Sequence, residues 1–173
     1  GLSHLTFNQK ELLCGINPAH CDQLQQKQRA AVLIQPFAGN ETDDTDYMAE
    51  HVYRALWQRG YQNTDIHYLT HRNIVNFDED PNVTSDKIVD GRATVGEGER
   101  VLTQTLRDTR LDEPLLVVYV GHGESDRLLL EPELLLEQQL AGFLETYQEA
   151  TGNPVVVVLE ACHSGTLVED VSN

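Results

Sequence analysis

The chain of 173 residues has no apolar run approaching the roughly 18–20 positions that a membrane-spanning helix needs. Its longest runs, Leu115 to Val120 and Val155 to Leu159, are the size of buried strands. The N-terminus lacks the basic-then-apolar pattern of a signal peptide, although a leader removed ahead of Gly1 would leave the same start. No internal repeat or low-complexity segment is present. Positive charge is scarce: 12 Lys and Arg stand against 28 Asp and Glu, a formal net charge of −16. A phosphate backbone would be repelled over most of such a surface, which argues against a nucleic-acid partner. The same charge suits basic partners or divalent cations, or simply keeps the protein in solution. Cysteine is also sparse. Three leave one unpaired in any compartment. Cys14 and Cys21 are close enough to bridge a short loop, whereas Cys162 lies far from both. A disulfide between the first two would indicate an oxidising location, and reduced thiols would fit the cytosol equally well. The lean is to a secreted or extracytoplasmic protein.

The length allows one domain with a substantial core and is short for two. Residues 1–28 are polar and Gln-rich without a clear apolar period, and read as an N-terminal extension with room for one short helix. Residues 29–173 form the domain proper. Ala30 to Ile34 suits a buried strand, and Gly39 to Asp46 a polar loop. Met48, Val52, Ala55 and Leu56 then follow helical spacing, with Asp43, Asp44 and Asp46 near the positive end of the helix dipole and Gly60 as its stop. Asp65 to Thr70 reads as a strand and Glu97 to Thr109 as a helix. Leu115 to Val120 is apolar on both faces, as a central parallel strand is. Arg127 to Leu130 suits a hairpin or edge strand. Leu136, Leu140, Phe143, Leu144 and Tyr147 mark an amphipathic helix ended by Gly152 and Pro154. Val155 to Leu159 is a second all-apolar strand. Strand and helix alternate from residue 30 onward, which predicts an α/β fold: a three-layer α/β/α sandwich around a mostly parallel sheet.

In open parallel sheets, working groups gather outside the carboxyl ends of the strands. Here the two most apolar strands end on Gly121-His122-Gly123 and on Glu160-Ala161-Cys162-His163-Ser164-Gly165. If the strands are neighbours, imidazole and thiol emerge on one rim. Histidine moves protons near neutral pH, and an ionised cysteine is a strong nucleophile. The amides of Gly123 and Cys162 could face a developing oxyanion. A lone buried Cys is usually a small hydrophobe and a lone His beside Gly usually structural; it is the pairing that points to catalysis. His163 is a poor base, because adjacent side chains diverge.

Tyr119-Val120-Gly121-His122-Gly123-Glu124 together with Glu160 to Gly165 resembles the paired catalytic motifs of legumain-type cysteine peptidases, of the caspase–hemoglobinase fold. Leu128 to Leu130 ahead of an amphipathic helix is similar to their bacterial relatives, and the resemblance extends from about residue 30 to 167. The caspase signature places Gln two positions before the nucleophile and the His about 50 residues upstream; here Glu160 replaces Gln and the interval is shorter. The resemblance implies a Cys162–His122 dyad cleaving peptide bonds through a thioester, with no third catalytic residue. It also implies that Glu160 lines the pocket for the side chain preceding the scissile bond, joined by the loop after the first strand. That loop carries Glu41, Asp43 and Asp44 but no Arg, which favours Arg or Lys in the substrate. Legumains take Asn, and these acids would also cap the helix well.

Related peptidases often carry an Asp-rich loop at the place of Asp78-Glu79-Asp80-Pro81-Asn82-Val83-Thr84-Ser85-Asp86, followed here by Asp90. Oxygen donors at Asp78, Asp80, Asn82, Asp86 and Asp90 suit a structural calcium ion. Val83 stands where an EF-hand needs Gly, and no Glu occupies its twelfth position, so a solvated acidic loop is the competing reading. Peptidases of this type continue beyond the nucleophile, whereas this sequence stops at Asn173. The expectation is a self-processed precursor whose large subunit this is, its partner being its own C-terminal small subunit. Processing at Asn173 would point to an Asn preference instead of a basic one. A transamidase or a catalytically silent scaffold of the same fold are the alternatives. A flavodoxin-like module is disfavoured, because Gly39 to Asp44 is acidic where a phosphate needs N–H groups and positive charge.

Overall fold

The computed structural model describes residues 5–17, 24–36, 42–73, 75, 88–130 and 132–167. Its centre is a five-stranded, fully parallel sheet of β2 (Ala31–Gln35), β3 (Ile66–Thr70), β4 (Val89–Gly91), β6 (Leu115–Val120) and β10 (Val155–Glu160), in the spatial order β10-β6-β2-β3-β4. Side chains alternate across a strand, and the core divides accordingly. Ala31, Leu33, Ile66, Tyr68, Val118 and Val120 pack beneath α2 (Thr42–Gln58), through Ala49, Tyr53 and Leu56. Val32, Ile34, Val117 and Tyr119 face the opposite side, against α4 (Glu137–Thr151) and the helical segment beginning with α3 (Val95–Arg100). Helices thus lie on both faces of a parallel sheet, an arrangement compatible with an α/β/α sandwich.

Several elements differ from expectation in instructive ways. The buried stripe of α2 is Ala49, Tyr53 and Leu56, while Met48 and Ala55 are exposed. Tyr53 holds the helix in this rotation, since its hydroxyl donates to Asn63 Oδ1 at 3.0 Å. The helix expected over Glu97 to Thr109 ends sooner. After α3 the chain makes a π-helical turn at Val101–Thr105, closed by Leu106 N–H donating to the Val101 carbonyl at 2.9 Å. It then enters β5 (Thr109–Leu111), which pairs in parallel with β1 (Gln25–Lys27). The described N-terminal residues are therefore fastened to the domain. α1 (Phe7–Ile16) opens on a capping box between Thr6 and Gln9. It buries Phe7 and Lys10, and Lys10 ion-pairs with Asp108. Cys14, on the same helix, is disulfide-bonded.

A small antiparallel sheet, β7 (Gly123–Glu124), β8 (Arg127–Leu130) and β9 (Glu133–Leu136), grows from the end of β6 and leads directly into α4. Leu136 accordingly belongs to β9, where it is exposed, and the stripe of α4 begins at Leu140. Gly152 takes the left-handed C-cap of α4, with φ at 73°. β10 is the terminal strand, paired only with β6 among the described residues. Its outward valines, Val156 and Val158, remain 48% and 43% exposed. No helix among the described residues is long and apolar enough to cross a membrane.

Two tests follow from the interior. Asn153 is buried and joins two elements, β5 and α4: its side chain accepts from Leu111 N–H (3.1 Å) and donates to the Thr109 carbonyl (3.0 Å) and the Tyr147 hydroxyl (2.7 Å). Asn153→Ala leaves buried backbone groups unpaired and is expected to lower stability by about 2–3 kcal/mol, read as a lower denaturation midpoint at unchanged slope. His67 is held below its ordinary pKa, first by burial, and its Nε2 has no hydrogen-bonding partner among the described residues. The unfolded chain takes up this proton near pH 6.5 and the folded one only at lower pH, so stability is unaffected above that value and falls as pH drops through it. His67→Gln is expected to flatten part of that decline in denaturation curves taken from about pH 7.5 down to 5.5.

Candidate active site

β6 and β10 run side by side in parallel, with Val120 opposite Glu160 at their carboxyl ends. Gly121 N–H extends the pairing by donating to the Glu160 carbonyl at 3.1 Å. His122 and Cys162 each follow two positions beyond that last matched pair, so the two expected reactive residues leave the sheet at the same level of one rim. His122 is half-buried; Cys162 is a free, exposed thiol.

The backbone at His122 is fixed from beneath. Tyr119 is fully buried in the sheet, and its hydroxyl lies 2.7 Å from the His122 carbonyl and 2.8 Å from that of Leu129, its single proton shared between the two acceptors. Burial pushes this phenol above its usual pKa, so it stays a donor throughout the physiological range. Leu129 N–H also donates to the His122 carbonyl, at 3.0 Å. In an antiparallel ladder that bond makes Gly123 and Leu128 a non-hydrogen-bonded pair, and the Gly123 N–H points away from β8. Gly121 is obligatory in size: a Cβ there would lie 2.7 Å from the Tyr119 hydroxyl oxygen and 3.1 Å from Cγ of Pro36.

Cys162 begins a tight turn. His163 carries a left-handed φ of 58°, and Ser164–Leu167 forms a 3₁₀ turn anchored by the fully buried Leu167. This turn abuts the His122 loop closely enough that a Cβ on Gly123 would come within 2.5 Å of the Cys162 carbonyl oxygen and 3.2 Å of Cβ of Ala161. Glycine is required at that point by space.

The other expected residues are placed less tellingly. Glu160 is the exposed last residue of β10. Asp43 and Asp44 lie in the first turn of α2, where Asp44 is exposed and the side chain of Asp43 is outside the described residues. The acid turned toward the rim is Asp46. Its Oδ1 accepts from the buried Gln35 amide at 2.8 Å, and Thr70 O–H donates to the other end of that amide at 2.5 Å. Asp46 also faces Arg72 at 3.9 Å, while Arg72 meets Glu50 at 2.6 Å. Burial raises the Asp46 carboxyl above its usual pKa, against the pull of His71 and Arg72. Of the proposed calcium ligands, Asp78, Asp80, Asn82 and Asp86 lie outside the described residues. Asp90 is on β4, where its Oδ2 accepts the Tyr68 N–H at 2.8 Å. Among the described residues no group of three or more His, Cys, Asp or Glu could hold a metal ion.

Tyr119 is the supporting residue that sequence pattern passes over. Inside an all-apolar strand it reads as core, and nothing local signals that its hydroxyl reaches two carbonyls. No family model matches the chain, and neither does any curated protein.

The close approach of the two loops generates a prediction. Gly123→Ala must push the Cys162 carbonyl away, and is expected to change the rate of Cys162 alkylation by roughly tenfold or more, with a fall of only a few degrees in melting temperature. Equal alkylation rates in the two proteins would show that the loops do not depend on this contact.

Proposed function

We propose that this chain is the catalytic portion of a cysteine endopeptidase similar to the legumain type, with a caspase–hemoglobinase-like fold. The observation that carries the reading is the matched ending of β6 and β10, which brings His122 and Cys162 to one rim of the sheet. The chemistry uses few groups. His122 takes the thiol proton as Cys162 Sγ attacks the scissile carbonyl carbon. The oxygen, now negative, accepts from the amides of Gly123 and Cys162; removing one such donor costs about 3–4 kcal/mol in comparable acyl transfers. His122 then gives its proton to the departing amine, leaving a thioester. A water, deprotonated by His122, releases the acid and restores the thiol.

Glu160, exposed beside the nucleophile, together with Asp43 and Asp44, favours a basic residue before the scissile bond, with Asn as the alternative preference. The apolar outward face of β10 supports a partner there, in this reading the protein's own C-terminal segment after processing. The disulfide at Cys14 supports an oxidising, extracytoplasmic location.

A peptidyl electrophile bearing Arg, Lys or Asn at its terminal position tests the proposal by intact mass. The expected result is one label per chain on Cys162, none on Cys162→Ala, and labelling slowed about 100-fold or more in His122→Ala. Undiminished labelling of Cys162→Ala would overturn the assignment. Amide formation with an added amine in place of hydrolysis would make the enzyme a transamidase of the same dyad.

A further inference from the structure

We propose that Thr166 is a positioning residue for this site, its hydroxyl setting the spacing between the loop that carries Cys162 and the hairpin that carries His122; the inference rests on the peptidase reading above. Among the described non-glycine residues, those with a left-handed backbone are Asp126 and His163. They lie in different loops. Asp126 is in the turn joining β7 to β8, downstream of His122, and His163 follows the proposed nucleophile directly. One side chain links them. Thr166 Oγ1 accepts from Asp126 N–H at 3.1 Å and donates to the His163 carbonyl at 2.8 Å. Thr166 N–H adds a third bond, to the same His163 carbonyl at 3.0 Å.

A conformation of this kind costs on the order of 1 kcal/mol or more per residue and persists where its surroundings enforce it. Here a single exposed hydroxyl holds the backbone in both places. Exposure matters to the argument: water could satisfy the Asp126 amide and the His163 carbonyl equally well, so the two bonds add little to stability. What they do fix is a distance. The β7–β8 hairpin moves as a unit with His122, because Leu129 N–H and the Tyr119 hydroxyl both bind the His122 carbonyl. At its near end this unit touches the nucleophile loop through Gly123 and the Cys162 carbonyl. Thr166 ties it at the far end. Two attachments prevent the hairpin from pivoting about the first, and imidazole and thiol keep their separation.

The test compares Thr166→Val, which keeps the shape and removes the hydroxyl, with Thr166→Ser, which keeps the hydroxyl, in the intact chain. With a peptide substrate, Thr166→Val is expected to lower kcat roughly 10- to 100-fold with KM within about threefold, the penalty of a misplacement of about 1 Å. Its melting temperature should stay near the wild type. The rate of Cys162 alkylation at a fixed pH should fall by a similar factor. Thr166→Ser is expected to restore both readouts. An unchanged kcat and alkylation rate in Thr166→Val, while His122→Ala loses activity, would overturn the role of Thr166 and leave the peptidase reading standing. Wild-type hydrolysis by His122→Ala and Cys162→Ala would overturn both. Should the valine variant fail to fold, Thr166→Ala takes its place beside the serine variant: a roughly 10- to 100-fold lower kcat in Thr166→Ala with wild-type kcat in Thr166→Ser supports the assignment, and equal kcat in the two removes it.

Discussion

The parallel pairing of β6 with β10 is the constraint on which the rest of the site depends. Side chains in a strand alternate, so a shift of β10 by one position in that pairing would turn Leu159 to the wrong face and move Cys162 relative to His122. The register is held by burial: Leu115, Val117 and Tyr119 must meet α4 and the π-turn segment, while Val118 and Val120 must meet the residues beneath α2. Packing several turns away from the rim therefore determines what stands opposite what at the rim.

Above the sheet the interactions change in kind. Within the strands, regular backbone bonds and apolar area do the positioning; beyond them the chain relies on individual atoms. Tyr119 reaches up from the core to hold a carbonyl, and Gly121 and Gly123 leave room where other backbone and side-chain atoms already lie. On the far side of β2, Gln35, Thr70 and Asp46 form a buried polar junction that ties the ends of β2 and β3 to the start of α2. This junction shows why an acidic loop is not by itself a recognition surface. Asp46 is engaged in structure, and Asp44 remains free to face solvent.

Much of this was legible in the sequence. Continuous apolar runs betrayed β6 and β10 as strands, although one face of β10 is uncovered, and the Gly-flanked His122 and the Cys162 that follow them were named from the sequence. The α4 stripe and its Gly152 stop were equally plain. Short elements were not. β4, β5 and β9 have too few residues to show a period, and β1 lies in a Gln-rich stretch whose pairing with β5 depends on residues far along the chain. The rotation of α2 escaped because Tyr53 is amphipathic: its ring is buried while its hydroxyl reaches Asn63, and hydropathy alone assigned the stripe to its neighbours. The order of strands was also hidden, and with it the terminal position of β10, whose valines looked as though they belonged to the middle of a sheet.

That terminal position has a colloidal consequence. A strand edge with exposed valines on one face is a template for pairing with another chain. The formal charge of −16 opposes such pairing between identical copies. The opposition weakens with salt, since the screening length shrinks from about 30 Å at 0.01 M to about 8 Å at 0.15 M ionic strength. Dilute buffer thus keeps copies of this chain apart, and added electrolyte removes the barrier between their edges.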